Sequence, residues 1–185
     1  MNPIEQLVRG FQDLVAYVPE LVQPFVILLA GAIPFVEGEV ASMVGVVGGV
    51  NPIIAGIAAA AGNFISVLLI VMLTSRARTA VVDRQNARVA ATVGGGSAET
   101  AAAVAPEKPE SKGRVKFKRW LVRFGVPGAS ILGPLAIPTQ FTSAILVAGG
   151  TPRGWVLLWQ GVAIVLWTTV GTVSVWAALT FLVGV

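Results

Sequence analysis

The stretch Ile33–Gly49, which reads IPFVEGEVASMVGVVGG, decides how this chain of 185 residues folds. It contains Glu37 and Glu39, the only charged residues in the region 21–75. A helix that crosses a membrane needs about 20 uninterrupted apolar residues. The two acids and Pro34 divide the first part of this region into shorter pieces. The pattern therefore predicts a pair of short helices with a break at Pro34 in place of one spanning helix.

A second break follows at GGVNP, where Gly48 and Gly49 end the apolar piece. Asn51 is a favoured N-cap residue, and Pro52 fits the first position of a new helix. The chain then remains uncharged to Ser75, which is long enough to cross a membrane. Broken helices at membrane depth need protein or a water-filled cavity around them. We therefore predict a first membrane repeat at 20–75, with a re-entrant hairpin at 22–49 and a span at 52–75.

The second half of the chain repeats this plan. Ala136-Ile137-Pro138 corresponds to Ala32-Ile33-Pro34, and Gly149-Gly150-Thr151-Pro152 corresponds to the first GGVNP break. Thr151 is the predicted cap of the helix that follows. If the segment between the halves stays on one side of the membrane, the two repeats have inverted topology, a transporter architecture. We predict a second repeat at 119–185, with a hairpin at 120–150 and a long helix at 152–183.

The positive charge is concentrated between the two halves. Eleven of the 13 basic residues and four of the nine acids lie in 76–123. The positive-inside rule places such a segment in the cytoplasm. We therefore predict a basic cytoplasmic linker at 76–118, disordered over about 92–113, where Gly, Ala, Pro, Ser and Glu predominate. Binding of nucleic acid is not expected, because few aromatic residues accompany the charges.

The N-terminal region 1–19 has a different pattern. Apolar residues recur at helical spacing, with charged and amide residues on the other side, and these apolar residues are Ile4, Leu7, Val8, Phe11, Leu14, Val15 and Val18. This pattern predicts an amphipathic helix lying in the membrane interface. Packing of the same helix on another subunit is the alternative, so a homo-oligomer is left open.

Composition excludes most enzyme classes. Hydrophobic residues make up 55% of the chain and charged residues 12%, whereas soluble domains have about 25% charged residues. The chain has no Cys and no His. Thiolate nucleophiles, Ser-His-Asp triads and zinc sites with Cys or His ligands are therefore excluded. We expect an integral membrane protein of the all-α class that is not an enzyme and has no cofactor or metal.

Two motifs, Ile33–Gly49 and RFGVPGASILGPLAIPTQ at Arg123–Gln140, resemble the DedA (VTT, SNARE-associated Golgi) superfamily. Within it, the chain is most similar to the bacterial small multidrug export proteins. The resemblance covers about 20–75 and 118–180. It implies two facing re-entrant hairpins, with transport of small molecules or flipping of lipid phosphates. The second arginine of the family motif corresponds to Ser130.

The residues that can carry chemistry lie at the predicted breaks. Glu37 and Glu39 are costly in a membrane unless they meet water, a cation or a proton, so they are the predicted proton-coupling site. The resemblance favours Glu39 slightly. Arg123 pairs with these acids or anchors the linker at the lipid surface. Thr139 and Gln140 occupy the place of the acids in the second repeat, where they bind substrate or satisfy the broken backbone.

Asn63, within the first long helix, is expected to form hydrogen bonds between helices. The leading expectation for function is a transporter of the bacterial plasma membrane that moves a small amphipathic substrate, with protons as the coupling ion and lipids as its surroundings. The alternatives are a lipid-phosphate flippase or scramblase and a membrane scaffold that does not transport.

The charge pattern makes a direct prediction about topology. A cysteine placed at Ser97 or Ser111 should resist a membrane-impermeant maleimide in intact cells and should react after the cells are opened. A cysteine at a position known to face the outside serves as the positive control for labelling. Ready labelling of intact cells at either linker position would contradict the cytoplasmic placement.

Overall fold

The computed structural model describes residues 17–95 and 125–184. Within these ranges the chain is helical and contains no strand, which confirms the all-α class. The predicted amphipathic helix at 1–19 lies outside them, apart from its last residues, as do Arg123 and most of the predicted linker. The elements are α1 (Gln23–Gly31), α2 (Glu37–Val47), α3 (Pro52–Gly95), α4 (Val126–Leu132), a 3₁₀ turn (Gly133–Leu135), α5 (Thr139–Ala148) and α6 (Arg153–Ala178), which continues as a π-helix (Leu179–Val183).

Helices α3 and α6 are long and apolar enough to cross a membrane. The most apolar part of each has a mean hydropathy of 2.3 and 1.9, and only 33% of it is buried. A core helix of a soluble protein would bury most of such a surface. The two helices are antiparallel, since Gly56 lies against Thr172 and Phe64 lies against Gly161.

Helices α1 and α2 form an antiparallel pair against the first half of α3. Gly31 lies against Ala59 and Leu28 lies against Gly62, so the backbones of α1 and α3 touch over about one turn of each helix. Gly45 of α2 lies beside Ala55, with the side chain of Ile27 between the helices, and Gly38 lies near the carbonyl of Ala59, so α2 runs antiparallel to α3. The outer end of α2 therefore lies at the beginning of α3, to which the turn at Gly49 joins it.

Helix α5, which follows α4, packs against a later part of α3 than α1 and α2 do. Val147 of α5 packs with Val67 and Val71 of α3, and Gly150 after α5 lies beside the guanidinium of Arg78. Helix α5 thus runs parallel to α3 and ends where α3 leaves the bundle. The turn at Gly150 and the turn before Pro52 therefore lie at opposite ends of the packed part of α3, which runs from about 52 to 78.

The two glycine breaks have the same backbone geometry. Gly49 and Gly150 have φ of 86° and 94°, in the left-handed region that glycine adopts without a steric cost. The N–H groups of Gly49 and Val50 bond to the carbonyls of Val46 and Gly45, at 3.0 Å each. The N–H groups of Gly150 and Thr151 make the corresponding bonds, at 3.0 and 3.1 Å. This is the Schellman motif, which ends a helix by satisfying its last carbonyls.

The starts of the long helices differ. The Asn51 Oδ1 accepts hydrogen bonds from the N–H groups of Ile53 at 2.9 Å and Ile54 at 3.4 Å, which confirms the predicted N-cap. The prediction that Thr151 caps the second long helix is wrong. That helix begins at Arg153 after Pro152 and has no hydrogen bond from a capping side chain.

Helix α3 extends to Gly95, twenty residues beyond the predicted end of the span at Ser75. The start of the predicted linker, including the first residues of its supposedly disordered part, is therefore helical. The side chains of 76–89 are exposed, so packing does not explain this extension. Lengthening an existing helix avoids the cost of nucleation, and the alanines and arginines of this segment favour helix.

Close contact between α1 and α3 predicts the effect of a single methyl group. A methyl group on Gly62 would collide with the carbonyl of Leu28. Gly62→Ala should lower the free energy of unfolding by about 1–3 kcal/mol, as measured by thermal or denaturant unfolding in detergent. Gly154→Ala is the matched control, because its methyl group would meet no atom within 4 Å. An equal stability of both variants would contradict the close packing.

Candidate functional site

The Glu37 carboxylate of the first helix pair, α1 and α2, accepts hydrogen bonds from the second pair, α4 and α5. Glu37, the first residue of α2, is only 4% exposed. Its Oε1 accepts a hydrogen bond from the backbone N–H of Thr139 at 2.5 Å and another from the Thr139 hydroxyl at 2.7 Å. Thr139 is the first residue of α5, so the carboxylate also lies at the positive end of that helix.

Two polar residues in the first half of α3, Asn63 and Ser66, complete this arrangement. The Thr139 Oγ1 lies 3.0 Å from the Oδ1 of Asn63, and the Nε2 of Gln140 donates to the same Oδ1 at 3.3 Å. The Gln140 amide also donates to the hydroxyl of Ser66 at 2.9 Å. We call these five residues the tip network: Glu37, Asn63, Ser66, Thr139 and Gln140. It joins the two helix pairs to each other and to α3.

The backbone is strained at the tip of the first helix pair, which is the turn between α1 and α2. Phe35 and Glu37 have φ of 71° and 52°, in the left-handed region that residues with a Cβ adopt at a cost. Such strain of order 1–3 kcal/mol per residue persists only where the surroundings enforce it. The hydrogen bonds from Thr139 hold Glu37, and the ring of Phe35 packs on that of Phe141 with centroids 6.2 Å apart.

Proline and glycine set the position of both tips. Pro34 lies in the turn between α1 and α2, and Pro138, with φ −51° and ψ 144°, is extended immediately before α5. Between the acids, Gly38 packs so closely on α6 that a methyl group there would collide with the Thr168 hydroxyl.

The two acids have different surroundings. Glu37 is part of the tip network, whereas Glu39 is only partly buried and its carboxylate has no ion-pairing partner within 17–95 and 125–184. The backbone of Glu39 lies against Gly171 of α6. Glu37 is therefore bound between the tips, and Glu39 remains available to a proton, a cation or a substrate.

The structure brings together three of the predicted site residues, Glu37, Thr139 and Gln140, whereas Glu39 lies two residues after Glu37 in α2 and so on a different face of that helix. Arg123 lies outside the described residues. The predicted breaks at Gly48, Gly49, Gly149 and Gly150 lie at the two ends of the bundle, away from the network. Asn63 makes the expected hydrogen bonds between helices. Ser66 was missed, although it follows Asn63 by three residues and so lies on the same face of the helix.

A groove of ≈ 610 Å³ lies between the first turns of α3 and the second half of α6. Its lining is apolar except for a few polar residues, namely Asn51, Thr168, Thr169 and Thr172. Thr168 is also the residue that contacts Gly38. The groove therefore reaches the segment that carries both acids.

Comparison of the chain with protein-family models, with characterised proteins and with solved structures gave no match. The interpretation of the site therefore depends on its own geometry and chemistry.

The tip network predicts the effect of removing one hydroxyl. Thr139→Val loses the hydrogen bond to the Glu37 carboxylate and should lower stability by about 1–3 kcal/mol. Thr139→Ser keeps the hydroxyl and is the matched control. Unfolding in detergent measures both variants.

A double-mutant cycle with Glu37→Gln makes this test specific. The two side chains should show a coupling energy of about 0.5–3 kcal/mol, as expected for residues in direct contact. Strictly additive effects would contradict a direct bond between the two tips.

Proposed function

We propose that the chain is an integral membrane protein built from two inverted repeats, each a re-entrant helix pair followed by a spanning helix. The length and exposed apolar surface of α3 and α6 support insertion. The order of contacts along α3 supports the inversion, because the α2–α3 turn lies at its beginning and the α5–α6 turn lies beside Arg78. In each repeat, the two short helices would enter the membrane and return to the same side of it.

The distribution of charge supports a single orientation. In the part of the chain that the structure describes, every basic residue lies at the end of the bundle near Gly150, and these residues are Arg76, Arg78, Arg84, Arg88 and Arg153. By the positive-inside rule, the arginine end faces the cytoplasm of a bacterial cell.

Proton-coupled transport of a small amphipathic molecule is the function that the geometry supports best. The observation that carries it is the tip network, in which a buried carboxylate joins two broken helix pairs beside Asn63, at the middle of the predicted span 52–75. Inverted-repeat transporters place their sites where broken helices meet, near the middle of the membrane. An ionisable residue at this depth is a functional candidate in its own right.

The two acids have separate roles in this proposal. Glu37 holds the tips together through Thr139, so its negative charge favours the joined state. Glu39, which has no such bonds, binds the transported proton and exchanges it with the substrate. Neutralisation of Glu37 would weaken the contact between the tips, because a charged acceptor forms the stronger hydrogen bond.

The sequence resemblance supports the same class of function. Short helix pairs with a proline and an acid at the tip are what the likeness to the DedA superfamily and to small multidrug export proteins implies. The repeated order of pair, glycine break and long helix in both halves agrees with that expectation.

Translocation of lipid is the second candidate, and the groove between α3 and α6 favours it. An apolar groove of ≈ 610 Å³ that is open on the side of a spanning helix could receive an acyl chain. A lipid headgroup would then lie near the polar segment that carries Glu39. Movement of a fluorescent lipid between leaflets, measured by dithionite quenching, separates this candidate from transport of a soluble molecule.

Neutralising the acids tests the proposal. The purified protein is placed in liposomes with a pH gradient, and uptake of ethidium is followed together with the internal pH. Glu39→Gln should lower proton-driven uptake at least tenfold with normal folding, because the amide cannot bind a proton. Glu37→Gln should also lower uptake and should in addition change thermal stability.

Glu20→Gln is the matched control, since Glu20 is exposed and lies outside the bundle. Wild-type uptake by the Glu37→Gln, Glu39→Gln double variant would refute proton coupling through these acids. Lipid movement without ethidium uptake would favour the second candidate, and the absence of both would favour the scaffold interpretation.

A further inference from the structure

Helix α3 projects from the bundle beyond Arg78, whose guanidinium lies beside Gly150. We call residues 79–95 the projecting helix, and at 1.5 Å per residue it is about 25 Å long. The side chains of 79–89 are all exposed, so no other helix within 17–95 and 125–184 covers them. Packing of one face supplies most of the stability of a helix in a protein. The projecting helix therefore presents a surface on which a partner can pack.

One face of the projecting helix carries apolar side chains at the spacing of a coiled coil. Val82 and Val89 are seven residues apart and are 41% and 46% exposed. Thr79 and Asn86 alternate with them in steps of three and four residues, and the sequence continues these steps to Val93. Steps of this kind define positions a and d of a heptad repeat abcdefg, with Thr79 and Asn86 at a, and Val82 and Val89 at d. This face, which we call the heptad face, has the pattern by which one helix packs along another.

Asn86 indicates which helix fits the heptad face. A single polar residue at position a fixes the register and the number of helices in a coiled coil, at a cost in stability. A carboxamide both donates and accepts hydrogen bonds, so an asparagine at this position can bond to the same residue of an identical helix. A second copy of the chain supplies that match at the required level.

The charges beside the heptad face fit the same partner. In a parallel pair of helices, position g of one helix lies beside position e of the following heptad in the other. These positions hold Arg78 and Asp83, so two copies would form two pairs of opposite charge. Within 17–95 and 125–184, Asp83 has no ion-pairing partner in its own chain. Arg84 and Arg88 lie at positions f and c, on the side away from such a partner.

We propose that the chain forms a parallel homodimer through the projecting helix, in which Val82, Asn86 and Val89 each meet the same residue of the second copy. The parallel arrangement rests on the proposed membrane insertion, because two copies that obey the positive-inside rule leave the membrane on the same side. Their projecting helices then begin at the same level, which is the register that the heptad face requires. The interface lies outside the bundle, so each copy keeps its own tip network.

Disulfide formation tests the interface without any need for transport. The chain contains no cysteine, so a single-cysteine variant has one reacting group. Val82→Cys and Val89→Cys are compared with Val81→Cys in membranes oxidised with copper phenanthroline, and dimers are measured on a non-reducing gel. Val81 is the matched control, because it is 62% exposed but lies at the outer position c.

Cysteines at 82 and 89 should form linked dimers at least fivefold faster than cysteine at 81, because only residues that face their own copies bring two Cβ atoms within bonding reach. Equal rates at the three positions, or the fastest reaction at 81, would overturn the interface, since random collision favours the most exposed cysteine. The absence of dimers at 82 and 89 would overturn it as well.

A second variant tests the charge pairs. Asp83→Arg, introduced beside Val82→Cys, places an arginine opposite Arg78 of the other copy and should lower the rate of dimer formation at least threefold. Ala87→Arg adds a charge at the outer position b and should leave the rate unchanged. An equal effect of both changes would contradict the parallel register.

Extraction of the same membranes with alkaline carbonate separates this inference from the proposed function. Release of the protein by carbonate would refute membrane insertion, and the relative rates at 81, 82 and 89 would still decide the dimer. Retention of the protein with equal rates at the three positions would overturn the dimer and leave the proposed insertion intact.

Discussion

The bond between the Glu37 carboxylate and the first residue of α5 is the interaction on which the rest of the arrangement depends. Each short helix pair breaks within the bundle, and a broken helix leaves backbone N–H groups without partners. Glu37 satisfies one of these groups, at Thr139, and accepts the hydroxyl of the same residue. A single side chain of one half thus caps a helix of the other, and the two halves become one structure.

Glycine-mediated packing makes this meeting possible. Gly31 and Gly62 let α1 and α3 approach to backbone contact, and Gly38 and Gly171 do the same between α2 and α6. Because the helices touch through their backbones, a short helix is held at a fixed height along its long neighbour. That height sets the level at which the tips meet. The close packing of the helices therefore also determines where the site lies.

Local features could be read from the sequence, whereas contacts between distant elements could not. The glycine breaks and the Asn51 cap follow from the backbone preferences of those residues, and the structure has them. The partner of Glu37 in the second half depends on the position of one helix along the axis of another. No local sequence pattern specifies that distance. The part played by Ser66 depends on the same distance. The extension of α3 beyond Ser75 does not follow from the apolar pattern, which ends there, but a helix that has already formed is easily lengthened.

The left-handed backbone of Glu37 places a cost and a gain in stability at one position. Glycine would adopt φ of 52° without strain, but it would also delete the carboxylate that joins the halves. The strain and the two hydrogen bonds are of similar size, so they offset each other in the free energy of unfolding. The net contribution of residue 37 to stability is therefore small, although its side chain determines how the second helix pair is attached to the first.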